Sequence, residues 1–325
     1  IASRNVEKFA AAQVAANIPP FLDAPRHTCV RKWLSKCVLT TLSDVRDSID
    51  GAAERYVATL SSDVPSLLVE ETARNFAASA ICTSAGVKLS AEELKKYTAA
   101  LFKLFAPIQD ATSFGITNEA LASARRALLA QIRTQTGAAP ASLLKTMQAW
   151  DHLLDDLNLS DEERDILVAD NILLVLADGV ENVEAAIGNV MVSWCALNPD
   201  QRPEITEGYV RGCIRQATPG QTIARITTRE IHIGGMKCPA GSPVFLSLAG
   251  ANARASDDDG DFSFGMGRHR CIGEGLAIEI IVACCKHLSK RSPIIDTRDL
   301  RFEPVFGHRW MRGVTLSLAA FGNSS

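Results

Sequence analysis

Cys271 lies in the stretch FSFGMGRHRCIGEG (262–275), among glycines and basic side chains and just ahead of a run with helical spacing. Gly265, Gly267, Gly273 and Gly275 let the backbone turn tightly and approach a second object closely. Arg268, His269 and Arg270 make that approach electropositive. A cysteine in such a loop, at the positive end of a helix, is expected to act as a thiolate.

A second group of polar residues interrupts an apolar run. LADGVENVEAAIGN (176–189) carries Asp178, Gly179, Glu181 and Asn182 where its neighbours are aliphatic. Either a second helix is capped here, or one long helix passes through with a polar centre. Ser160 and Glu163 form a capping box upstream, and nothing stops the helix before NPD at 198–200. Unbroken, it would be about 55 Å long at about 1.5 Å per residue. A third pair, His27 and Arg31 in FLDAPRHTCVRKWL (21–34), is four apart and shares one helical face.

These groups must be positioned by a chain of 325 residues that is 47% hydrophobic and 22% charged, enough to bury a substantial core. A net charge of -3 without Lys/Arg blocks argues against nucleic acid or an anionic membrane as the main partner. The longest apolar runs, ILLVLA (172–177) and LAIEIIVACC (276–285), are too short to span a bilayer, and no secretory signal pattern opens the chain. Nine cysteines with no CxxC pair fit neither a disulfide framework nor a zinc site, and point to a reducing, cytoplasmic setting.

From about 40 to 200 the spacing predicts successive amphipathic helices. One is SAEELKKYTAALFKLFAPI (90–108), with Leu94, Tyr97, Leu101 and Leu104 on one face. From 221 to 248 the pattern turns to β-branched alternation with a turn, and RGVTLSLAAF (312–321) alternates in the same way. The expected class is mainly α with small β-sheets.

FGMGRHRCIG (264–273) has Phe264, Gly267, Cys271 and Gly273 at the spacing F-x-x-G-x-x-x-C-x-G. In this it resembles the cysteine-ligand loop of the cytochrome P-450 family, and the likeness runs from about residue 20 to the end. It implies a single haem domain over 1–325. That domain has a helical body about 22–217, a β-rich segment about 219–252, the cysteine loop and its helix at 262–290, and strands about 300–321. It implies haem b (iron protoporphyrin IX) with Cys271 as thiolate ligand, and His27, Arg31, Arg225 and His269 as contacts to the propionates. Asp178, Gly179, Glu181 and Asn182 would pass over the opposite face of the haem, Gly179 leaving room for oxygen and Glu181 serving as the acid. Pro20, Phe21, Val175, Gln221, Thr222, Ile223, Phe306 and His308, with Asp178, are the substrate-lining candidates.

The implied activity is oxidation of a hydrophobic small molecule, aromatic or heteroatom-bearing, by a monooxygenase or coupling enzyme of secondary metabolism. Electrons would come from a ferredoxin- or flavodoxin-type donor. A peroxide-driven enzyme and a non-catalytic haem sensor or scaffold are the alternatives. Departures from the family are specific. Asn182 stands where a threonine is usual, and Gly212-Cys213-Ile214-Arg215 lacks the glutamate of E-x-x-R. ARASDDDGDFS (253–263) is shorter than the family's meander, and the region before His27 is short.

Overall fold

The computed structural model describes residues 8–105, 110–134, 141–256 and 260–319. Helices α1 (Ala10–Ala15), α2 (Arg26–Thr59), α3 (Arg74–Ala85), α4 (Ala91–Phe102), α5 (Ala111–Thr134) and α6 (Leu143–Ala149) precede the longest, α7 (Asp161–Cys195). After it come α8 (Glu207–Gln216), α9 (Leu248–Arg254) and α10 (Glu274–Ser289).

Helix α7 is continuous, so Asp178 and Gly179 lie inside it rather than at a cap. Ser160 Oγ accepts from Glu163 N at 3.3 Å while the Glu163 carboxylate accepts from Ser160 N at 2.8 Å. Three acids in the first turn complement the helix dipole. Helices α3, α4, α5, α8 and α10 pack around α7, and α2 lies along α10. Gly275 permits that last approach, since a Cβ there would stand 2.8 Å from Leu42 Cδ2.

The strands are β1 (Ser66–Leu67), β2 (Thr222–Ile226), β3 (Ile231–Ile233), β4 (Met236–Cys238), β5 (Pro243–Ser247), β6 (Ile294–Asp296), β7 (Arg301–Glu303), β8 (Trp310–Arg312) and β9 (Thr315–Ser317). All pairings are antiparallel: β1 and β6 on β9, β2 on β5, β3 on β4 and β7 on β8. Three sequence expectations shift. The helix expected over 90–108 ends at Phe102 and tightens to a 3₁₀ turn at Lys103–Phe105, with 106–108 outside the described residues; Pro107 cannot continue an α-helix hydrogen-bond ladder. The β-rich segment closes in helix α9, where Ser247 Oγ accepts from Gly250 N at 3.0 Å. Strand β1, inside the helical body, is too short to show alternation in sequence.

One buried ion pair fastens the amino-terminal region to this frame. Asp170 on α7, fully buried, accepts from Arg125 Nε at 2.9 Å and Nη2 at 2.8 Å, and from Asn17 Nδ2 at 2.7 Å. Arg125→Met leaves that carboxylate without its cation and is expected to cost about 3–5 kcal/mol of stability, read as a lowered urea midpoint.

Candidate functional site

The cysteine loop is made of successive turns. Gly265 (φ 71°) and Gly267 (φ 73°) take left-handed conformations that residues with a Cβ rarely adopt. Gly265 N donates to Phe262 O at 2.9 Å, Arg270 N to Gly267 O at 3.0 Å and Cys271 N to Phe264 O at 2.8 Å. Gly273 caps α10, so Cys271 lies just before the positive end of that helix.

The cysteine keeps accessible surface although it lies deep in the molecule. Both hold for a group on the wall of an internal hollow. Burial, then the Asp178 carboxylate, push its thiol up to about 12, against the Gly273 N–H and Arg31, which pull it down. The expected thiolate therefore does not come from the loop's own basic residues. Arg270 donates to Glu274 from Nε at 2.9 Å and Nη2 at 3.0 Å, and Arg268 pairs with Asp23 at 3.8 Å. A bound metal cation deprotonates a coordinating thiol outright.

Asp178 shares the cysteine's setting: partly accessible, yet raised to about 7 by burial. Between Leu167 and Met191, only Val175, Asp178, Gly179 and Asn182 of α7 are not fully buried. Their spacing of three, one and three residues is a single helical face, and this stripe is the second wall of the hollow.

Glu181 faces elsewhere. It accepts from Arg74 Nη2 and Nη1, each at 3.1 Å, and from Thr98 Oγ1 at 2.8 Å. Glu184, fully buried, accepts from Arg74 Nη1 at 2.9 Å and pairs with Arg312 Nη2 at 3.0 Å. Burial and the nearby Glu181 raise Glu184 to about 8. Glu181, expected as the acid above the reacting centre, is thus tied to Arg74 because one residue of helix rotation turns it off the stripe. A cleft of about 480 Å³ lies on that side, lined by Arg74, Lys95, Glu181, Glu184, Trp310 and Arg312 among others; neither Cys271 nor Asp178 borders it.

Asn182 Oδ1 accepts from Trp310 Nε1 at 3.4 Å, which assigns its carbonyl to strand β8 and leaves its amide N–H groups for the hollow. Gly179 also brings a neighbour close: a Cβ there would meet Ile81 Cδ1 at 3.0 Å, so the glycine admits helix α3 on that side.

The four predicted anchors come together at one rim. His27 and His269 rings lie 4.3 Å apart, and Arg31 Nη2 donates to Arg270 O at 2.6 Å. Burial, then the positive charges of His27, Arg225, Arg268 and Arg31, hold His269 down to about 4. Burial, then Arg31 and Arg268, also lower His27, whose buried Nε2 has no hydrogen-bond partner. Arg225 donates to the carbonyl of Ala224 at 2.8 Å. Outside this rim a cleft of about 340 Å³ is lined by His27, Arg31, Lys32 and Arg268 among others.

The substrate candidates divide. Phe21 stacks on Phe105 at 4.9 Å, Phe105 lies 6.4 Å from Phe102, and Phe102 meets His308 and Trp310 at 5.0 Å each. This aromatic chain ends beside Asn182. Thr222 N donates to Gly307 O at 3.2 Å, Ile223 reaches Gly265, and Phe306 packs on Phe245 at 5.5 Å, so the 306–308 tip sits on the β2–β5 sheet. Pro20 is exposed at the surface. Gln221 is committed elsewhere, its amide donating to the carbonyl of Thr218. Arg74, Ile81, Thr98 and Trp310 were missed in the sequence, where no local pattern marks them.

No family model matches the chain. The vitamin D(3) 25-hydroxylase of Pseudonocardia autotrophica is 28% identical over 79% of this chain and 66% of its own length. Cytochrome p450 CYP199A2 of Rhodopseudomonas palustris is 26% identical over 80% of this chain and 66% of its own length. The chain thus spans 66% of the length of each of these relatives. The crystal structure of P450BioI in complex with a fatty-acid-ligated acyl carrier protein superposes with a TM-score of 0.81 at 20% identity, covering 98% of this chain and 85% of that one.

The packing role of Gly179 is open to a double-mutant cycle. Gly179→Ala is expected to destabilise through Ile81, and Ile81→Val to relieve it, giving a coupling on the order of 1 kcal/mol between the two in urea unfolding.

Proposed function

The chain belongs to the cytochrome P-450 family, and from that premise we propose that it is a haem-thiolate oxidoreductase with Cys271 as the iron ligand. The family's cofactor is haem b held by a cysteine thiolate. The residues present fit that group. Cys271 reaches a hollow from a helix end, and the rim of His27, Arg31, Arg225 and His269 is a crowd of donors short of acceptors, with the His27 Nε2 unpartnered. A dianion supplies the missing charge. That crowding of donors and positive charge at a partly buried rim is the observation carrying the assignment, because an anionic guest would relieve it.

Bound haem supplies one-electron and dioxygen chemistry at iron. The chain supplies the rest. Cys271 Sγ ligates, steadied by the Gly273 N–H, which holds electron density on sulfur. His27, Arg31, Arg225 and His269 orient the two propionates. Asn182, its carbonyl occupied by Trp310, offers N–H donors to a group in the hollow. Val175 with Phe21, Phe102 and His308 excludes water and accommodates a hydrophobic, aromatic or heteroatom-bearing substrate. Glu181 keeps Arg74 and Thr98 in place and does not carry protons to the hollow.

Among the described residues no helix is long and apolar enough to cross a membrane. The reading has the protein working in the cytoplasm, with a ferredoxin- or flavodoxin-type electron donor, in secondary metabolism. A peroxide-driven reaction is the second reading, favoured by Asn182, since an amide cannot relay a proton by rotating a hydroxyl as threonine does.

The ferrous carbon monoxide complex should show the strongly red-shifted Soret band of a thiolate ligand, and Cys271→Ala should abolish it; a histidine-type band in the parent overturns the assignment. Replacing Arg31 and Arg225 together by leucine should speed haem loss to apomyoglobin roughly a hundredfold, corresponding to about 3 kcal/mol of lost propionate pairing.

A further inference from the structure

Helix α7 carries four acids in its buried middle, and three are paired with arginine. Asp170 has Arg125 at 2.8 Å, Glu181 has Arg74 at 3.1 Å, and Glu184 has Arg74 at 2.9 Å and Arg312 at 3.0 Å. Asp178 is the exception: among the described residues it makes no hydrogen bond and no ion pair, and burial alone perturbs it. It is also the acid on the stripe that faces the hollow, one turn from Asn182 and close enough to Cys271 for its charge to be felt there.

Among the described residues no cation pairs with it. Arg74 and Arg312 are committed to Glu181, Glu184 and Glu303, and Arg31 to the carbonyl of Arg270. His308 is lowered by burial, and its Nδ1 lies 2.9 Å from the carbonyl of Phe306. A carboxylate held in the interior without a counter-charge is unfavourable, and a cation brought by a ligand relieves that cost. Val175, one turn from Asp178 on the same stripe, supplies an apolar neighbour for such a guest.

We propose that Asp178 anchors the substrate, and that the substrate is a hydrophobic molecule carrying a cationic nitrogen beside the position that is oxidised. This rests on the haem-thiolate reading, which makes the hollow a substrate site. The anchoring contact joins the Asp178 carboxylate to the ammonium, while Val175 and Asn182 on the same stripe receive the rest of the molecule.

Benzyltrimethylammonium tests the proposal, because a quaternary nitrogen cannot ligate iron; neopentylbenzene is its neutral isostere. Haem-loaded parent protein should bind the cation at least about tenfold more tightly than the isostere by calorimetry. Asp178→Asn should bring that ratio near one while keeping haem content and the red-shifted carbon monoxide band, and Asp178→Glu should retain a preference for the cation. Equal binding of both probes by the parent, or an unchanged ratio in Asp178→Asn, overturns the proposal. A parent that takes up no haem overturns the haem-thiolate reading instead, and the same ratio measured on the unloaded chain then decides Asp178 separately.

Discussion

The burial of α7 on all but one face is the constraint on which the rest of the structure depends. Helices α3, α4, α5, α8 and α10 close around it. At Gly188 a Cβ would come within 2.6 Å of Val69 Cγ2, so even there the neighbour touches backbone. A helix enclosed in this way can meet a ligand only where its neighbours leave it, and that is the stripe of Val175, Asp178, Gly179 and Asn182. The same enclosure dictates what each polar side chain on α7 does: off the stripe it must find a partner in the protein, and on the stripe it need not.

That rule explains the distribution of arginines. Arg74, from α3, serves two glutamates at once, and Arg312, from β8, joins Glu184 to Glu303. Helix, helix and strand are thereby held in one register around Glu184. Apolar residues of the same volume would pack at no lower stability, but they would not distinguish this register from a neighbouring one. A ring of satisfied charges behind the stripe is compatible with a rigid wall in front of it. Trp310 completes the wall by fixing Asn182 from the strand that carries Arg312.

The parts legible in sequence are those whose determinants are local. The capping box at Ser160, the glycines around Cys271 and the period of α10 each lie within a few residues of what they decide, and the structure forms them as expected. Glu181 misled because a linear motif says which residue follows which, not which neighbour a helix face meets; its partner Arg74 is 107 residues away. Ile81 and Trp310 were invisible for the same reason. The basic loop misled differently, and avoidably. Arg270 and Glu274 stand four apart at the start of a helix, a spacing that pairs side chains, so the neutralising acid was in plain view.

Two charge excesses of opposite sign remain, and the elements that carry them separate their roles. The rim gathers His27 and Arg31 from α2, Arg225 from β2 and His269 from the cysteine loop, and burial with the neighbouring arginines lowers both histidines. Asp178 lies on α7 and is raised by burial alone, with no ion pair among the described residues. On the haem-thiolate reading the propionates would draw on the rim and not on Asp178, and the rim would govern how firmly the cofactor is held. On the same reading the lone carboxyl would act on what enters afterwards, discriminating by charge where Val175, on the same stripe, discriminates by shape and apolarity.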